Sequence, residues 1–158
     1  MKIAGIILAL LFGLFIVFLF VSGKESKTGH APGLIDLSLA RCADKPNCVC
    51  SEYKDDTAHY IEPVIIPNKS DLDFLLLVKT TIRNMGGIPF VHTDNYIAAI
   101  FSSTLFGFVD DLEVRADLEN SVLHIRSASR VGYSDAGVNK RRVESFKKKL
   151  SENLLVEK

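Results

Sequence analysis

At 158 residues, with no net charge, 47% hydrophobic and 24% charged residues, the chain has the makings of one globular domain behind a short apolar segment. A neutral chain excludes the strongly basic domain that a nucleic-acid partner favours, so no nucleic-acid role is expected. The charge is segregated: Asp44–Glu119 holds thirteen acidic against six basic residues, a net −7, and Arg126–Lys158 nine basic against four acidic, a net +5. Either the two blocks neutralise each other across the fold, or the second forms a basic surface for an anionic lipid or ligand.

Ile3–Val21 is nineteen residues without a charge. As a helix it would rise about 28 Å, close to the thickness of a bilayer's hydrocarbon core. The run is longer than the apolar core of a cleavable signal and lacks an Ala-x-Ala site, so an uncleaved anchor is expected. Three units follow: residues 1–23 as transmembrane anchor, 24–37 as a Ser/Gly/Lys/Thr/Pro tether, and 38–158 as the globular domain. The positive-inside rule barely discriminates, because Lys2 lies on one side of the run and Lys24 and Lys27 on the other. The cysteines say more. Cys42-x5-Cys48-x-Cys50 has no zinc spacing, and a Cys42–Cys48 disulfide would suit an oxidising compartment, leaving one thiol over. Three reduced cysteines in the cytosol is the competing reading. The domain is therefore expected outside the cytoplasm.

Turn chemistry at Asp44-Lys-Pro-Asn47 closes the cysteine loop. Tyr60–Ile66 reads as a first strand, with Pro63 favouring an edge. Ser70 and Asp73 form an acidic capping box opening a helix that buries Leu72, Leu75, Leu76, Lys79 and Ile82, and Met85-Gly-Gly87 ends it. Ile88–Thr93 and Tyr96–Ser102 flank an Asp94-Asn95 hairpin turn. The second of these is apolar on both faces, which suits an interior strand. Phe106–Asp117 and Val122–Ser127 flank a turn at Glu119-Asn120. A final helix from Val138 buries Val143, Phe146, Leu150 and Leu154. The order β-α-β-β-β-β-α predicts an α+β domain: an antiparallel sheet of about five strands with two helices packed on one face, preceded by one transmembrane helix.

The hairpin register can be set by pattern alone. Pairing Leu118 with Ser121 keeps Leu123 and Ile125 on the face of Phe108, Leu112 and Val114. A slip of one would set apolar side chains opposite charges. Glu113 then faces Arg126 as an ion pair on the exposed polar face, and Arg115 faces His124. Asp110 falls on the apolar side opposite Ser129, where a carboxylate needs a partner. Arg130 is the expected one, with Ser127 or Ser129 satisfying the remaining lone pairs. Such a network could only anchor a loop. The functional alternative is a pocket for an anionic ligand, with charge from Arg126 or Arg130 and backbone N–H groups from Gly132–Gly137. The candidate residues are Asp110, Asp111, Glu113, Arg126, Ser127, Ser129, Arg130, Asp135 and Asn139. Lys140-Arg-Arg142 and Lys147-Lys-Lys149 read as the solvated face of the last helix. No Gly-x-Ser-x-Gly, phosphate loop or His-Glu-x-x-His occurs, and His30, His59, His92 and His124 are scattered, so no catalytic residue, cofactor or metal is assigned.

Cys42-x5-Cys48 with Pro46-Asn-Cys-Val49, Phe106-Gly-Phe-Val-Asp-Asp-Leu-Glu113, Arg126–Asn139 and Arg141-Arg-Val-Glu144 together resemble domain of unknown function 1499, over about residues 38–152. That resemblance implies bacterial proteins behind a membrane segment, and thylakoid-lumen proteins in plants. It implies no activity, and the family pattern has Ser where this chain has Cys50. The expectation is a single-pass protein of the bacterial inner membrane, its C-terminal domain facing the periplasm. It would act as a non-catalytic binding or accessory module for a small anionic or lipid-like ligand or an envelope partner protein, held to the bilayer through residues 3–21. Two alternatives stay open: a hydrolase or transferase using Asp110, Asp111 or Glu113 as base, and a purely structural envelope protein.

Overall fold

The alternation of apolar and polar side chains over residues 112–117 and 123–126 builds the centre of the molecule, seen in a computed structural model that describes residues 2–66 and 74–156. In chain order the elements are α1 (Lys2–Ser26), β1 (Leu34–Ile35), β2 (Ser38–Leu39), β3 (Cys48–Cys50), β4 (Val64–Ile65), α2 (Phe74–Asn84), β5 (Ile88–His92), β6 (Tyr96–Ser102), β7 (Val109–Asp117), β8 (Val122–Ser129) and α3 (Val138–Val156). A six-stranded antiparallel sheet runs β3-β8-β7-β6-β5. Its sixth strand, β4, shares the outer side of β8 with β3: Val64 pairs with Leu123, while Val49 pairs with Ser127. The domain is α+β, as the pattern predicts.

The β7–β8 register is the expected one. Glu113 is opposite Arg126, Arg115 opposite His124 and Asp110 opposite Ser129. Alternate residues on one face — Leu112, Val114, Ala116, Leu123 and Ile125 — meet Leu77, Val78 and Ile82 of α2 and Val143, Phe146 and Leu150 of α3 in the main core. Both helices therefore cover one face. β6 has a neighbour on each side and puts Ile97 and Ala99 into this core and Tyr96 and Ala98 on the other face.

Several expectations shift. The cysteine segment enters the main sheet as β3, so that sheet has six strands among the described residues. Only Val64–Ile65 of the 60–66 segment pairs as a strand, although Tyr60 bridges Cys50. β7 begins at Val109, because Phe106 and Phe108 turn aside into a ring contact of their own. In α2 the buried stripe is Leu77, Val78, Thr81 and Ile82, and Leu76 is exposed. The expected capping box at Ser70 and Asp73, with Leu72, lies outside the described residues. The helix does end at the glycines: Gly86 has φ of 81°, and the Gly87 N–H reaches the Ile82 carbonyl at 3.0 Å.

The second sheet face is covered too, contrary to the expectation of an exposed polar face. The β1–β2 hairpin and the segment around Tyr53 lie over it, with Leu39, Cys50, Tyr96 and Ala98 forming a smaller apolar cluster. Residues 26–33, from the stretch expected to act as a tether, lie against the same sheet. The Ser26 hydroxyl donates to the Gly23 carbonyl at 2.6 Å and accepts the Val109 N–H at 3.0 Å, and the Gly33 N–H donates to Glu113. α1, long and apolar enough to cross a membrane, thus runs directly into the domain.

The Cys42–Cys48 disulfide is formed, with Cα atoms 5.7 Å apart. It anchors the start of β3. A loop this short restricts the unfolded chain only modestly, so its loss is expected to cost about 2 kcal/mol. Unfolding midpoints of the detergent-solubilised chain with and without reductant check this, and an unchanged midpoint would contradict it.

Candidate functional site

The nine candidate residues do not converge on one pocket. Strand pleating sends them to opposite faces of the sheet. Under α3, Asp110 is paired with Arg142, Nη2 to Oδ2 at 2.7 Å. The Arg142 guanidinium also donates to Ser127 Oγ at 3.2 Å and to Asn139 Oδ1, and it stacks over the Phe101 ring at 4.8 Å. Asn139 is the hub of this side. Its Oδ1 accepts the Ser127 hydroxyl at 2.6 Å, and its Nδ2 donates to Ser129 Oγ and to the Asn47 carbonyl, each at 3.0 Å. Asn47 in turn accepts the Ser129 N–H at 3.0 Å and donates to the Gly132 carbonyl at 3.0 Å, tying the cysteine loop to the start of α3. Asp135 caps that start: its carboxylate accepts the N–H groups of Gly137 at 2.8 Å and Asn139 at 2.6 Å, where the helix leaves donors unpaired.

On the opposite face three further carboxylates are each gripped by an arginine. Arg130 binds Asp111 through two bonds, Nη2 to Oδ1 at 2.8 Å and Nε to Oδ2 at 2.9 Å. Arg126 Nη1 reaches Glu113 Oε2 at 2.6 Å, and Glu113 Oε1 accepts the Tyr96 hydroxyl at 2.7 Å and the Gly33 N–H at 3.1 Å. Glu113 is wholly buried and Arg126 only 8% exposed. The Arg126 Nε is buried and makes no hydrogen bond among the described residues, so the guanidinium is held chiefly by Glu113. Arg115 closes the row on Glu52, with bonds of 2.7 and 3.2 Å. The −7 and +5 blocks therefore meet in buried pairs, and neutralisation across the fold is what the segregated charge does.

The expected Asp110–Arg130 pair is not formed. Arg130 is four residues beyond Arg126, so it shares the face of Asp111 and Glu113 and cannot reach through the sheet to Asp110. Asp110 is met from above by Arg142, which is turned inward rather than solvated. A signal for it was present, because Arg142, Phe146 and Leu150 are spaced by four, along the buried stripe of a helix. The other residues missed, Asn47, Tyr96, Glu52 and Ser26, are distant in sequence and had no pattern to expose them.

Cys50 is buried, only 3% exposed. Burial, the largest influence, raises its thiol from the ordinary 9.0 to about 11, so near neutral pH it is protonated and a poor nucleophile. Tyr96 is also held well above its ordinary 10.0, by burial first and the Glu113 carboxylate next. Between pH 9 and 11 the folded chain keeps the Cys50 proton that the unfolded chain has lost, so stability falls as pH rises through that window, by up to about 3 kcal/mol. Cys50→Ser is expected to remove this early loss, leaving the one that begins near pH 10, where Tyr96 ionises in the unfolded chain. Alkaline denaturation of both chains is the check; identical curves would contradict it.

A family model described as "Protein of unknown function (DUF1499)" matches residues 38–150, well over half of the chain. The chain belongs to the DUF1499 family. The match takes in every buried pair described above except the Ser26 and Gly33 contacts, which lie before it. No curated protein matches the chain, and no solved structure does. Membership in DUF1499 carries a domain extent and no activity.

Proposed function

We propose that this DUF1499 protein is a non-catalytic accessory module of the bacterial inner membrane, held by α1 with its domain in the periplasm. The observation that carries the reading is the state of Asp110, Asp111 and Glu113. Each of these three carboxylates, the expected candidates for a base, is buried against an arginine: Arg142, Arg130 and Arg126. A general base needs an open approach to its substrate's proton, and these lack one. The disulfide supports an oxidising compartment, which favours the periplasmic side.

Binding then falls to the exposed half of the Arg126–Asn139 stretch. Tyr133, Ser134 and Ala136 are exposed there, and Lys140 and Arg141 follow on the first turn of α3. This surface leaves the sheet at the end where α1 docks, since Arg130 bonds both the Val109 carbonyl and the Ser26 carbonyl. Two cations at that position suit an anionic ligand. The pairing of the three carboxylates with arginines equally favours a purely structural role, and ligand capture separates the two. Native mass spectrometry of the detergent-solubilised chain is expected to show a bound anionic species that Lys140→Glu/Arg141→Glu loses. A chain that never carries one supports the structural role. A phosphatase fused at Lys158 should be active, as only a periplasmic C-terminus allows. Turnover of any substrate that Glu113→Gln abolishes without unfolding the domain would overturn the reading.

A further inference from the structure

The junction between α1 and the domain has a second apolar component. Between β6 and β7 the chain makes a tight turn, with the Gly107 N–H on the Ser103 carbonyl at 3.2 Å, the Phe108 N–H on Ser103 Oγ at 3.0 Å and Gly107 at φ of 72°. Leu105 sits at its tip, 70% exposed. The next residue, Phe106, packs edge-on against Phe20 of α1, ring centroids 5.2 Å apart, and then against Phe108 at 6.2 Å. α1 comes this close because residue 23 is glycine: a Cβ there would lie 1.9 Å from the Phe106 carbonyl oxygen.

Phe20 belongs to the last turn of the uncharged Ile3–Val21 run, so in a bilayer it sits at the boundary between hydrocarbon and headgroups. Phe106 touches it and is therefore at the same depth. Leu105, beside Phe106 in the chain, is covered by little protein and so is open to lipid at that depth. Lys24 follows one turn later, and the Lys27 side chain lies over Gly107, which puts cations at headgroup level. We propose that the Ser103–Phe108 turn is a second membrane contact, inserting Leu105 into the bilayer interface alongside α1 and fixing the pose of the domain on the lipid surface. This inference rests on the reading of α1 as an anchor.

The chain has no tryptophan, so single replacements report depth without background. Leu14→Trp in mid-helix, Leu105→Trp, and Leu118→Trp at the far end of the β7–β8 hairpin all replace exposed residues. The full chain is reconstituted in phosphatidylcholine–phosphatidylglycerol vesicles, with and without bromine on the acyl chains. The expected result is loss of emission to brominated lipid for Leu14→Trp and Leu105→Trp, a blue shift of both, and neither for Leu118→Trp. Quenching of Leu14→Trp alone overturns the second contact and leaves the anchor standing. No quenching of either overturns both. Quenching of all three overturns the fixed pose, because the domain would then lie on the bilayer without the orientation that α1 and the turn dictate.

Discussion

Arg126→Met is expected to destabilise the protein by about 3–5 kcal/mol, among the largest losses available to a single substitution. The arginine neutralises a carboxylate with no solvent exposure, and its removal strands the Glu113 charge in the buried interior with, among the described residues, the Tyr96 hydroxyl and Gly33 N–H left to hold it. The double change Arg126→Met/Glu113→Gln should recover most of the loss. It removes the charge, keeps a carbonyl oxygen for Tyr96 and Gly33, and replaces with an apolar chain of similar length a guanidinium whose Nε makes no hydrogen bond among the described residues. Denaturant unfolding of the three detergent-solubilised chains makes the comparison. A single substitution costing under about 1 kcal/mol, or a double change no better than the single, would show that the pair contributes little.

Phe146→Ala is expected to cost a similar ~3–5 kcal/mol for a different reason. Phe146 is fully buried among the residues that join α3 to the sheet, and truncation leaves a cavity that a packed interior only partly closes. The loss should show as a lower unfolding midpoint at every salt concentration, since no charge is involved. Leu118→Ala, at the exposed end of the β7–β8 turn, serves as the control and should stay within about 0.5 kcal/mol. If Phe146→Ala matched that control, α3 would not be packed on the sheet as described.

How far these features could be read from the chain alone depends on the range of the interactions that determine them. The β7–β8 register was legible because period-two alternation over residues 109–129 leaves one pairing that keeps Leu112, Val114, Leu123 and Ile125 together. Asp110 as a buried carboxylate needing a partner was legible for the same reason. Its partner was not, because Arg130 follows directly on Ser129, the residue opposite Asp110, although the same parity puts Arg130 with Asp111. Arg142 was hidden by composition: three basic residues in a row look solvated, although helical spacing aims the third at the sheet. The cover over the second face was the least legible feature. Residues 26–39 have no long apolar run, and their attachment rests on Leu39 in the small apolar cluster and on long-range bonds such as Ser26 to Val109, Gly33 to Glu113 and Leu39 to Glu52, which no local pattern encodes. The long apolar N-terminal helix and the disulfide, both local in sequence, are as expected.

The close seating of Gly23 on Phe106, with Ser26 bonded to Val109 and Arg130, also sets how far this protein can reach. Fourteen flexible residues would have let the domain wander some 20 Å from its point of attachment. Without that slack the domain keeps one position relative to α1, as a fixture rather than a buoy. With α1 in a bilayer, as proposed above, anything it meets would have to come to the lipid surface, within roughly one domain diameter, from a direction that the helix has already chosen.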